Sequence, residues 1–109
     1  MSYVVTHRMG WDEEDPPLST MPNLLGELSE YPDDVEHGSV AVSHESGAAL
    51  EVGRSGHVVF TPDLEADVIE QFHLPPGMLD RRALIEAMCH LAEGRLDEIR
   101  ALPWKPGNQ

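Results

Sequence analysis

From Ser39 onward the apolar residues fall into a period of two, and this stretch constrains the fold more than any other. Val40 and Val42 point one way and Ala41 and Ser43 the other; after Glu45-Ser46-Gly47 a second run places Ala48, Leu50 and Val52 on one face. Gly53-Arg54-Ser55-Gly56 then reverses the chain into His57-Val58-Val59-Phe60-Thr61. Alternation interrupted by glycine-containing turns reads as a three-stranded antiparallel meander, with glycine free to take positive φ at both reversals. The expected class is α+β: an antiparallel sheet, made of this meander plus flanking strands, packed by two or three helices.

The flanking segments supply the other elements. Tyr3-Val4-Val5-Thr6 is rich in β-formers and predicts an opening strand. Trp11-Asp12-Glu13-Glu14-Asp15-Pro16-Pro17 runs four like charges into two prolines, which predicts a solvated loop or hairpin tip rather than strand or helix. Thr20 can cap a helix with Pro22 in its first turn and Met21, Leu24, Leu25 and Leu28 at helical spacing, ending near Tyr31-Pro32. Residues Asp63 to Pro76 fit a helical face or an edge strand; the sheet context favours a strand over Val68 to Leu74. Asp80 caps a helix over Arg81 to Ala92 that turns Leu84, Ile85, Met88 and Leu91 to the core, and Gly94 stops it. Leu96 to Leu102 adds a helical turn or two, and Pro103-Trp104-Lys105-Pro106 closes the chain in extended form. At 109 residues, with no internal repeat and no long linker, residues 1–109 are one domain.

Charge narrows the function. Twenty carboxylates against seven Lys and Arg leave a formal net charge of −13, and fifteen of those acids, with Arg54 the one Lys or Arg among them, lie between Asp12 and Glu70. Phosphate contacts need cations, so nucleic acid is excluded as a direct partner. The same field draws in a basic protein and speeds its encounter, although solubility alone would also account for acidity. Cys89 is a lone cysteine, which rules out an internal disulfide and fits a reducing compartment. The N-terminus carries no apolar run of signal-peptide length and no window approaches a membrane span, so a cytoplasmic protein without membrane contact is expected.

Candidate chemistry is sparse. His44-Glu45 lacks a second histidine at helical zinc spacing, and the six histidines read as surface or turn residues, so no metal and no cofactor are expected. Cys89 and His90 are adjacent on a helix, where their side chains diverge by about 100° and cannot make a nucleophile-base pair. Neither a Gly-x-Ser-x-Gly elbow nor a phosphate loop is present, and the acidic runs are too solvated for acid-base work. The expectation is a protein without catalytic residues. What remains is recognition: Tyr31, Asp33, Asp34, Glu36, His37, His44 and Glu45 cluster about the first strand of the meander. Trp11 beside four acids and Trp104 beside Lys105 are amphipathic anchors of the kind found at interface centres. The candidate partner-binding set is thus Trp11, Tyr31, Asp33, Asp34, Glu36, His44, Glu45 and Trp104.

Three stretches also carry a resemblance. Leu24-Leu-x-Glu-Leu28 leads to Tyr31-Pro-Asp-Asp34; Val40-x-Val-x-His-Glu-Ser-Gly47 is followed by Leu50; Leu91-Ala-Glu-Gly-x-Leu-Asp97 leads to Leu102-Pro-Trp-Lys-Pro-Gly107. In order and spacing they resemble the Imm1-type immunity proteins of bacterial polymorphic toxin systems. The resemblance implies a cytoplasmic antidote that binds and neutralises a cognate toxin, frequently a zinc-dependent nucleic-acid (cytosine) deaminase with a basic substrate groove. Rival readings are an acidic adaptor, a DNA-mimic regulator of a basic cytoplasmic protein, or an enzyme, which would need a concave site with perturbed titrating groups, His37, His44 and Glu45 first among them.

Overall fold

The computed structural model describes residues 2–8, 10–29, 38–54 and 56–106. Strands β1 (Tyr3–Thr6), β2 (Asp12–Glu14), β3 (Ser39–His44), β4 (Ala49–Gly53), β5 (Val58–Thr61), β6 (Phe72–Leu74) and the two-residue β7 (Lys105–Pro106) form one sheet. Its order is β2-β1-β3-β4-β5-β6-β7, and every neighbouring pair is antiparallel. Helices α1 (Thr20–Gly26), α2 (Arg81–Ala92) and α3 (Leu96–Arg100) complete the α+β fold, with a 3-10 turn over Glu27–Ser29 extending α1.

The register explains the core. Val5, Val42, Leu50, Phe60 and Phe72 stand opposite one another across five strands, and Val40, Val52, Val58 and Leu74 form a second row. Cross-strand partners share a face, so a period of two in each strand becomes two apolar rows on one side of the sheet. The helices cover that side: Met21, Leu24 and Leu25 of α1, Leu84, Met88 and Leu91 of α2 and Ile99 of α3 are buried in the same cluster. The opposite face carries Val4, Ser43, Ala49, Glu51, Val59 and His73, half-buried or exposed.

The meander, the opening strand and the helix over Arg81–Ala92 occur as expected. Asp80 Oδ1 accepts a hydrogen bond from Ala83 N at 2.8 Å, and Gly94 takes φ +75 as α2 ends. Three details differ. The 12–14 segment is a strand, because its backbone is paired with β1 and Glu13 turns inward to a buried partner. Helix α1 starts from Ser19 with no side-chain cap. Of the stretch from Val68 to Leu74 only Phe72–Leu74 joins the sheet; Val68 and Ile69 remain exposed in the β5–β6 connection.

Candidate functional site

Among the described residues, the β1–β2 hairpin gathers a dense set of interacting polar groups. His7 continues β1 with the parity of Val5, so its ring turns to the helix side, where it is 7% exposed. Its Nδ1 lies 2.6 Å from Glu27 Oε2 and its Nε2 lies 3.0 Å from Glu13 Oε1. Glu27 also accepts a hydrogen bond from the backbone N–H of Arg8 at 3.1 Å. Burial works against a charged imidazole, but hydrogen bonds and charge from Glu27 and Glu13 outweigh it, and the His7 pKa is raised. Both ring nitrogens facing carboxylates favour the imidazolium, a donor at each end.

That clamp orients an aromatic ring. The indole of Trp11 lies flat on the His7 ring, with centroids 3.7 Å apart and 5° between the planes. The hairpin holds it there through His7 N–H donating to Trp11 O at 2.9 Å and Gly10 N–H donating to His7 O at 2.8 Å. Gly10 takes φ +93, a conformation that glycine adopts without steric cost. Trp11 is nonetheless 55% exposed, which leaves a large apolar surface held in place at the sheet edge. Asp12 binds Thr6 Oγ1 at 2.8 Å, Glu14 is exposed, and Asp15 Oδ1 accepts from Tyr3 N at 2.9 Å.

The other recognition candidates are dispersed. Glu45 is exposed in the β3–β4 turn, and its N–H donates to Ser2 O at 2.9 Å, which sets it at the same end of β1 as Asp15. His44 Nδ1 accepts from Ser46 N at 3.1 Å and lies 2.9 Å from Ser46 Oγ. Its Nε2 is buried with no partner among the described residues, so the ring organises the turn rather than projecting from it. Trp104 is half-buried: its Nε1–H donates to Ile99 O at 2.6 Å and its ring packs 5.5 Å from Phe60. Trp11 leads into β2 and Trp104 into β7, the strands at the two ends of the sheet order, and the Trp104 ring packs back over β5 against Phe60. Tyr31, Asp33, Asp34, Glu36 and His37 lie outside the described residues.

Elsewhere, Phe60, Phe72, Arg100, Leu102, Pro103 and Trp104 line an open, largely aromatic cleft of about 340 Å³; among these described residues Arg100 is the one titratable group. Among the described residues no three His, Cys, Asp or Glu side chains are placed to share a metal ion. Burial, with help from Glu93 and Glu86, raises the Cys89 pKa and keeps its thiol protonated, opposite to what a nucleophile requires. No described helix is long and apolar enough to cross a membrane. Comparison with protein-family models, with curated proteins and with solved structures gives no match for this chain.

Sequence reasoning singles out Trp11 but not the His7, Glu13 and Glu27 side chains that orient it. The parity of His7 with Val5 is the available signal; Glu27, twenty residues away, gives none.

Proposed function

We propose that this protein is an acidic binding module that acts as an immunity protein, neutralising a basic toxin by covering the groove that holds its nucleic-acid substrate. The observation that carries this reading is the exposed Trp11 indole, held flat against a carboxylate-clamped His7 at the rim of an acidic hairpin. Aromatic anchors dominate interface energetics, and an anchor already ordered in the free protein loses little entropy on binding. Asp12 beside it, Glu14 along β2, and Asp15 and Glu45 at the far end of β1 supply negative potential along this margin, which steers a basic surface and sets its orientation.

The resemblance in sequence supplies the particular partner. A nucleic-acid deaminase must hold a polyanion beside its zinc, so its groove is basic. An acidic protein seated over that groove excludes substrate sterically and electrostatically, with no reaction of its own. Asp33, Asp34 and Glu36, which lie outside the described residues, are candidates for the same contact on their sequence alone.

The test is binding to the toxin domain encoded beside this gene. Trp11→Ala is expected to weaken affinity by about 30-fold, as for an interface hot spot, mainly through faster dissociation. Charge reversal at Asp12, Glu14 and Glu45 is expected to slow association and flatten its dependence on salt. Unchanged affinity in Trp11→Ala would remove the hairpin from the interface.

A further inference from the structure

The open face of the sheet holds a second histidine arrangement, far in character from the carboxylate-clamped His7. His73 lies on β6 opposite Val59 of β5, and His57 precedes β5 with the same parity as Val59, so both rings stand on the face away from the helices. His73 Nδ1 and His57 Nε2 are 3.0 Å apart, and the rings are near-parallel, 19° between planes. Both are half-buried. A single hydrogen can bridge the two nitrogens, so the pair is held with one imidazole donating to the lone pair of the other.

We propose that His57 and His73 form a two-imidazole site for a divalent transition-metal ion of tetragonal preference, Cu2+ first and Ni2+ next. Neutral imidazole nitrogens are ligands for this class of ion. With metal–nitrogen bonds of about 2.05 Å, a nitrogen separation of 3.0 Å subtends an angle of about 94° at the metal. That is the cis angle of square-planar or octahedral coordination. Tetrahedral zinc with the same bond lengths would need the nitrogens about 3.35 Å apart. Binding takes the lone pairs of both nitrogens, so the bridging proton leaves to solvent, the ring that gave it up takes a proton back at its other nitrogen, and the remaining metal positions are left to solvent. The site is therefore an open one, and the net charge of −13 raises the local concentration of cations around it.

Its structural consequence concerns β6. This strand is three residues long and lies between β5 and the two-residue β7, after a connection in which Val68 is 77% exposed. A metal shared by His57 and His73 bridges β5 to β6 toward the end of their ladder away from that connection and stabilises the folded state by mass action.

Cu2+ alone, titrated into the full-length protein by calorimetry with paramagnetic resonance of the loaded sample, tests the proposal. One strong site is expected, with hyperfine coupling to two imidazole nitrogens, and Ni2+ bound more tightly than Zn2+. His57→Ala and His73→Ala should each lower the association constant at least tenfold, and His57→Gln and His73→Asn provide second variants where the alanine forms unfold. His44→Ala and His90→Ala should leave the affinity unchanged. Equal Cu2+ affinity in the wild type and the His57/His73 double variant would overturn the site, and tighter binding of Zn2+ than of Ni2+ would overturn its tetragonal geometry.

Discussion

His7 illustrates how one buried side chain acquires a role that its residue type does not announce. Its ring joins Glu13, Glu27 and Trp11 by two charge-assisted contacts and a face-to-face stack. Because its folded pKa is raised above the unfolded value of about 6.5, its contribution to stability is complete below that pH and is lost as pH rises through the folded pKa. The urea midpoint of the wild type should therefore fall relative to His7→Ala between pH 6 and pH 9, and a constant difference would deny the imidazolium. At pH 6 His7→Ala should destabilise by about 2 kcal/mol, since it leaves two carboxylates without their shared donor. Trp11 fluorescence, read in a Trp104→Phe background, should change over the same pH range.

Among the elements, α2 and the meander are legible in the sequence because each states its geometry locally. Asp80 announces the start of α2, Gly94 its end, and Leu84, Met88 and Leu91 its buried stripe. Asp80→Ala should cost about 1 kcal/mol in chemical denaturation by leaving Ala83 N–H without its side-chain acceptor; an unchanged midpoint would mean that solvent replaces the cap. The β2 strand is not legible. Four consecutive acids disfavour a strand on charge alone, and what overrides that local preference is nonlocal: the β1 ladder, and His7 ready to receive Glu13. Asp12 and Glu14 then alternate outward, and a charged outer strand discourages edge-to-edge pairing with another chain. The β5–β6 connection misleads for the opposite reason. Val68 and Ile69 suggest strand by type, yet Val59 and Phe60 find their partners in His73 and Phe72, which leaves the two aliphatic residues outside the ladder.

At the scale of the whole molecule, the two edges of the sheet carry different features, with further exposed acids, Asp63, Glu65, Asp67 and Glu70, in the β5–β6 connection. The acidic hairpin β1–β2 occupies one margin of the sheet, while Arg100, Trp104 and the aromatic cleft occupy the margin near β7. Acids that are neighbours along the chain are visible in the sequence, but their placement in space depends on the strand order. Trp104 and Trp11, alike by residue type, therefore lead into strands at opposite ends of the sheet order, and His44 folds into its own turn although its neighbours are recognition candidates. The acidic margin is the surface we propose for a basic toxin. The direct measurement of that proposal is a titration of this protein into a toxin domain encoded beside its gene, where one is found, while nucleic-acid deamination is followed at low and physiological salt. The account predicts loss of activity that is complete at one equivalent and weaker binding as salt increases. Full deamination in the presence of excess protein, at either salt, would contradict it.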